Sequence, residues 1–525
     1  MAKKNFRFSV IALILSALLS AVPAVPSAAS TPGYLDPTFG TGGILTTYVG
    51  GSVNHATSIA IDSNGKINVA GFAYIDGGYD FAVVRYNSNG SLDTSFGVDG
   101  KATTDFGASM DVTNAIAIDS NGKIILAGYS DIEGNYNFAV VRYNIDGTLD
   151  TSFSADGKLT TDIGADDDVA RSISIDSNDK IILAGYSYIE GNYDFAVVRY
   201  NIDGTLDTSF STDGKLTTGI GASNDVSTSI AIDENGKIVL AGYSVMSGGA
   251  VDFAVVRYNI DGTLDTSFSA DGKVTTDIGD SDNARAVVID GNGNIVVAGS
   301  SYLAYLESND FAVVRYNSNG SLDTSFSTDG ILTTDIRTTW DDAYSLAIDS
   351  NSKIIVAGMS WNTSNTDIAL VRYNSDGLID STFGTDGIII TAIGTSSDQA
   401  NSLAIDNDGK IVVAGVTRNV YDYFAVVRYI AIDSEAEAAR VAAAAEAARV
   451  AAAAEAARVA AAAEAAKKQK ELTELLSVIP SIAGLALDIS DLTNSLLLKQ
   501  KCVKGKTIKY VKKGAKCPKG YVKKK

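Results

Sequence analysis

The hexapeptide FAVVRY begins at residues 81, 138, 195, 253, 311 and 424, and its variant IALVRY begins at 368. One unit therefore recurs seven times, at intervals of 56 to 58 residues. A strand-rich unit of this length cannot bury its apolar face alone and must stack on its neighbours, which restricts the chain to a propeller or a solenoid array.

Residues 114–163 show what one unit contains. Apolar and polar residues alternate in NAIAID (114–119), and a Ser-Asn-Gly turn leads into KIILAGYS (123–130). A variable stretch precedes FAVVRYN (138–144), and after the loop IDGTLDTSFSADG the run KLTTDI (158–163) closes the unit. Short runs rich in Ile, Val, Tyr and Thr, bounded by Gly, Asn and Asp, predict four antiparallel strands. FAVV is continuously apolar, as a strand packed on both faces must be. No 3.6-residue stripe persists, so an amphipathic helix does not fit.

The first three strand types each occur seven times, yet the last unit ends at Tyr429 without a fourth. The missing strand lies at the other end of the chain, in LDPTF (35–39) followed by GGILTT (42–47). The expected fold is an all-β seven-bladed β-propeller over residues 34–430. Its N-terminal strand completes the last blade and removes free sheet edges. An open β-solenoid leaves this distribution of strands unexplained.

The recurring [LI]-D-x-[ST]-F-[GS]-x-D-G, AID-S-N-G-K-I and FAVVRY segments resemble the delta-60 repeat family, a β-propeller domain of unknown function. The resemblance covers residues 34–430 and implies a propeller in surface or secreted settings, with no established catalytic residues. The AID-x-x-G-K-I-x-V-A hairpin is more distantly similar to NHL-type blades.

The flanking segments predict an address. Residues 1–30 read as a secretory signal peptide: Lys3, Lys4 and Arg7, then VIALILSALL, then the small residues 27–30 around a cleavage site. That apolar core is short for a membrane span, and Asp488 and Asp491 interrupt the other apolar region, so no transmembrane helix is expected in the mature chain. The expectation is an exported, bacterial, secreted or cell-surface protein.

After Tyr429 the composition changes. EAARVAAAA repeats from Glu437, Glu446 and Glu455, a helix-forming pattern with Glu-to-Arg pairs. Its nine-residue period puts Val441, Val450 and Val459 on alternating faces, which excludes a coiled-coil seam. Residues 434–477 are accordingly expected to form a solitary Ala-rich helical stalk, and 478–498 short apolar helices. Residues 499–525 hold twelve lysines and no acid in a chain of net charge −20. Cys502 and Cys517 are the only cysteines, and an exported setting permits a disulfide closing a small basic hairpin. This tail resembles a cassette on exported actinobacterial proteins. It is a polycation suited to an anionic cell-envelope polymer, whereas the acidic remainder disfavours nucleic acid.

Signals of catalysis are sparse. The one histidine, His55, rules out three-histidine metal sites and most Ser-His-Asp triads within the chain, and it reads as polar loop surface. Arg85, Arg142, Arg199, Arg257, Arg315, Arg372 and Arg428 recur once per unit, as do Asp36, Asp93, Asp150, Asp207, Asp265, Asp323 and Asp380, which predicts a structural Arg–Asp link. A second ring of acids, Asp111, Asp168, Asp225, Asp282, Asp341 and Asp398, with Asn54 in the seventh place, precedes each innermost strand. Such a ring at one mouth of the channel suits calcium, and aspartates equally cap turns.

The same face carries the loops that differ most between units, where recognition is expected. Trp340, Trp361, Tyr302, Tyr305, Tyr421 and Tyr423 form the candidate ligand-binding set. Stacking on sugar rings is their functional use, and loop packing their structural one. The expected role is non-catalytic binding of a glycan or a surface protein. The competing classes are a calcium-dependent lactonase-like hydrolase or lyase, and a structural envelope component.

Overall fold

The computed structural model describes residues 33–304, 307–337, 340–431, 458, 467–470 and 499–524. The chain divides into two compact units, Met1–Ala438 and Ala439–Lys525.

In the first unit, blade 1 comprises Asn54–Ile61, Ile67–Ile75, Gly78–Tyr86 and Lys101–Thr104, hydrogen-bonded in that order. Five more blades repeat the arrangement. Blade 7 consists of Asp398–Ile405, Ile411–Arg418 and Asp422–Tyr429, and its fourth strand is Ile44–Thr47. Antiparallel pairing runs from Ile44 opposite Val427 to Thr47 opposite Phe424. The first strand of blade 1 packs against that of blade 7, so the ring is shut.

The core lies between blades. Phe81, Val83 and Phe96 of blade 1 pack with Ile124, Leu126 and Val141 of blade 2 in one buried cluster. Every Phe-Ala-Val-Val run faces a neighbour on both sides, which is why alternation is missing there. Each of the seven arginines donates Nε to its unit's aspartate, for example Arg142 to Asp150 at 2.7 Å and Arg315 to Asp323 at 2.8 Å. The guanidinium also lies over the unit's phenylalanine, 4.7 Å from the Phe153 ring in blade 2, and Nη1 reaches a carbonyl of the next blade, as Arg142 does to Ile202 at 2.6 Å. Arg428 completes the set with Asp36 at 2.9 Å. The closing blade thus repeats a buried ion pair from opposite ends of the chain.

A lysine from the hairpin turn reinforces most of these aspartates, such as Lys180 on Asp207 at 3.2 Å. Burial alone would raise the Asp207 carboxyl. Bonds from Ser209 and Lys180 and the charge of Arg199 outweigh it and hold the pKa at about 2. Asp380 is held at about 2 against burial by Thr382, Lys353 and Arg372. A carboxyl depressed in the folded state contributes stability above its unfolded pKa, near 3.8, and loses it as pH falls toward the folded value. With the same arrangement in every blade, the melting temperature should hold down to about pH 4 and then fall steeply toward pH 2. A pH series of thermal melts checks this; a flat profile over that window contradicts it.

The first strand of every blade breaks register at one residue, as between Thr113 and Ala115 or Ala170 and Ser172. The bulge is forced by close backbone approach: a Cβ on Gly128 would sit 1.9 Å from the Val112 carbonyl oxygen. A bulged residue is left out of the ladder and its side chain is re-aimed. These residues are Thr57, Asn114, Arg171, Thr228, Arg285, Tyr344 and Asn401.

In the second unit Lys499–Lys504, Thr507–Lys512 and Val522–Lys523 form a three-stranded sheet. Its Cys502–Cys517 disulfide is present, Cys502 is fully buried, and the short third strand extends the expected hairpin. The expected fold needs one correction. Helix among the described residues is confined to Arg458 and Lys467–Lys470, so a long Ala-rich α-helix is no part of the described structure. A repeat that spreads its valines over opposite faces offers no face to bury, and most helices draw their stability from such burial. The rest of 434–477, with 478–498 and the signal segment 1–30, lies outside the described residues. Among the described residues no helix is long and apolar enough to cross a membrane.

Candidate binding site

The start of each first strand, the end of each second and the start of each third meet on one face of the propeller, the face with the variable loops. On the axis there lies a cavity of about 580 Å³. Below its mouth the bulge residues tie blade to blade. Thr57 Oγ1 donates to the Thr113 carbonyl at 2.9 Å, Asn114 Nδ2 to Ala170 at 2.7 Å, Thr228 Oγ1 to Ala284 at 2.9 Å and Asn401 Nδ2 to Ala56 at 2.7 Å.

Arg171 and Arg285 occupy the same bulge position; all seven bulge residues line the cavity, and these two are exposed to it. Among the described propeller residues they are the two arginines without a carboxylate partner; all others, Arg337 and Arg418 included, are ion-paired. Arg171 lies 5.6 Å from the Tyr186 ring centre and Arg285 5.8 Å from that of Tyr344. Tyr129, Tyr186 and Tyr243, equivalent residues of three successive second strands, line the wall with Tyr193. Burial raises the Tyr129 and Tyr243 hydroxyl pKa values, opposed by Arg171 and Arg285 respectively, so these phenols stay protonated and can donate hydrogen bonds. The chemistry on offer is cationic, aromatic and hydroxylic.

His55 is the second residue of blade 1's first strand, not a loop residue, and it lines this cavity. It stacks on Phe72 with ring centres 5.2 Å apart. Burial pushes its pKa down to about 4 despite the nearby Asp422 charge, so the imidazole is neutral at pH 7. Its buried Nδ1 has no hydrogen-bond partner.

The aspartate ring lies away from the cavity. All six carboxylates are buried and accept backbone N–H groups of the preceding loop. Asp168 takes Ile163 N at 2.6 Å, Asp225 takes Ile220 N at 2.6 Å and Gly221 N at 3.1 Å, and Asp341 takes Ile336 N at 2.8 Å. Asp111, Asp282 and Asp398 do the same with Phe106, Ile278 and Ile393, each at 2.7 Å. Asn54 accepts from Val49 and Gly50. Each caps its own loop, and no described acidic group brings two ring members together.

Trp340, Trp361, Tyr302, Tyr421 and Tyr423 sit on the loop face, outside the lining of the axial cavity. Trp340 is 52% exposed and tilted against Tyr302 with ring centres 6.3 Å apart. The Trp361 amide donates to the Trp340 carbonyl at 2.9 Å. Tyr421 is exposed, and Tyr423 packs near Tyr48 with ring centres 6.2 Å apart. Tyr305 lies outside the described residues.

Among solved structures the fold is similar to virginiamycin B lyase from Staphylococcus aureus, in a catalytically inactive form with quinupristin, at 10% identity over 73% of this chain and 98% of that one (TM-score 0.40). It is also similar to an ulvan lyase, a polysaccharide lyase, at 12% identity over 72% and 94% (TM-score 0.42). Sqt1 from Chaetomium thermophilum, bound to the N-terminus of a ribosomal protein, gives 11% identity over 77% and 100% (TM-score 0.40). No curated protein matches the chain in sequence. A β-propeller domain of unknown function, DUF5122, matches residues 63–96, 120–153, 177–210, 234–268, 291–326 and 350–383. Each match runs from a first hairpin turn to the phenylalanine beneath the arginine. The seventh such stretch is divided between Leu35–Phe39 and the segment ending at Tyr429, so ring closure itself accounts for six matches in seven blades. The repeats of this chain are those of the DUF5122 β-propeller family.

Proposed function

We propose that this is an exported, non-catalytic binding protein whose axial cavity takes an acidic glycan at the cell surface. The observation that carries the reading is the pair Arg171 and Arg285. In a chain of net charge −20, two exposed guanidinium groups without carboxylate partners face a tyrosine-lined cavity. Guanidinium forks suit carboxylate or sulfate groups, and tyrosine rings and hydroxyls suit sugar faces and their hydroxyls. Titration with uronic-acid oligosaccharides and with their carboxyl-reduced counterparts tests it. Binding is expected for the acidic forms only, weakening as salt rises. Equal binding of the neutral forms, or none at all, would refute it.

His55 supports a second reading. A neutral imidazole in the same cavity can accept a proton, as a lyase or hydrolase requires. Turnover of the bound glycan that disappears in His55→Ala would favour that class, and a structural envelope component would show neither binding nor turnover. The lysine-rich tail sheet, with its charges exposed, suits an anionic envelope polymer. Cell fractionation of the full chain and of a chain ending at Gln500 should release only the shorter one into the medium.

A further inference from the structure

At each blade junction three positions converge: the residue before the third strand's phenylalanine, the residue after the fourth strand, and the capping residue of the next blade's first strand. At the junction of blades 5 and 6 these are Asp310, Asp335 and Asp341, and at that of blades 4 and 5 they are Asp252, Asp277 and Asp282. In each trio the three carboxylates offer oxygens within 4.8 Å of one another. We propose that the trio at the junction of blades 5 and 6 holds a calcium ion.

The other junctions relieve the same crowding in other ways. Between blades 2 and 3 the first position is Asn137, between 3 and 4 the second is Gly219, and between 6 and 7 the second is Ala392. At the ring closure all three acids are gone, replaced by Tyr423, Tyr48 and Asn54. The junction of blades 1 and 2 keeps Asp80, Asp105 and Asp111, but Lys158 Nζ binds the Asp105 carbonyl at 2.9 Å. At the junction of blades 4 and 5 the residue equivalent to that lysine is Ile331, and at that of blades 5 and 6 it is Ile388. Acids are therefore stacked without that lysine at two adjacent junctions.

A second observation points to a ligand at the junction of blades 5 and 6. Asp310 is 6% exposed, yet its Oδ1 has no hydrogen-bond partner. Asp341 is fully buried. Its Oδ1 is likewise without a partner, a feature it shares with Asp111 and Asp398, so the orphaned oxygen peculiar to this junction is that of Asp310. A divalent cation would satisfy the unbonded Asp310 oxygen and relieve the crowding of three carboxylates within 4.8 Å of one another. All-carboxylate donors with room for water suit a hard cation of variable coordination, and calcium fits that better than magnesium, which demands a tight octahedron.

The test uses the full chain stripped with chelator, followed by thermal unfolding and calorimetric titration with calcium chloride. Calcium is expected to raise the melting temperature by several degrees, with magnesium much weaker, and one ion should bind per chain. Asp335 is exposed, so its asparagine variant should fold. Asp335→Asn should lose the ion, and Asp162→Asn, at a junction that already has Asn137, should keep it. A melting temperature no higher in calcium than in potassium chloride of equal ionic strength would overturn the proposal. So would a parental isotherm in the Asp335→Asn variant.

Discussion

A chain lacking residues 33–47 is expected to show no cooperative unfolding transition. Those residues supply the fourth strand of blade 7, the Asp36 carboxylate on Arg428, and Phe39, whose ring lies 4.5 Å beneath that guanidinium. Without them Arg428, only 4% exposed, becomes a buried charge with its main partner gone. Breaking a buried pair from one side costs about 3–5 kcal/mol, and losing a buried phenylalanine costs about as much again. Together these approach the whole stability of a typical domain, about 5–15 kcal/mol. The single variants Phe39→Ala and Phe96→Ala should be destabilised equally, because both rings are fully buried under the equivalent arginine. A deletion variant that melts like the parent would show that the N-terminal strand is dispensable.

Replacing both cavity arginines by alanine should abolish binding of acidic glycan while leaving the fold intact. Each charge-assisted contact is worth about 1.5–3 kcal/mol, so losing two weakens affinity by roughly 100-fold or more. The melting temperature should move by no more than a degree or two, because neither Arg171 nor Arg285 holds an ion pair. Arg199→Ala provides the contrast. It removes the buried partner of Asp207 and should lower stability strongly without touching the cavity. Isothermal titration and thermal melts on the three variants separate the roles. Retained affinity in the double variant would place the ligand elsewhere.

The ring was legible in the sequence because each of its determinants repeats. FAVVRY marks the strand packed on both faces, and LDPTF at residue 35 declares which end of the chain completes blade 7. The Arg–Asp link was equally legible, since a buried guanidinium needs an acid and each unit supplies one. The cavity was harder to read because its residues do not repeat. The bulge position carries Thr, Asn, Arg, Thr, Arg, Tyr and Asn in turn, so Arg171 and Arg285 look like ordinary variation until the register shift aims them at the axis. Tyr129, Tyr186 and Tyr243 do recur after Ala-Gly and carried a usable signal, but they read as strand interior. The aspartate ring was seen at the right positions. Of the two uses that the sequence offers for it, the described structure shows turn capping by backbone N–H groups. His55 reads as loop surface in the sequence because the boundary of blade 1's first strand, Asn54–Ile61, falls just before it.

The closed ring is what everything else depends on, and a double-mutant cycle on Asp36 and Arg428 measures it most directly. These residues are 392 positions apart, so only the shared blade can couple them. Denaturant unfolding of the parent, Asp36→Asn, Arg428→Gln and the double variant should give a coupling energy of about 1–3 kcal/mol. Additivity within about 0.5 kcal/mol would mean that the two ends of the β region do not meet.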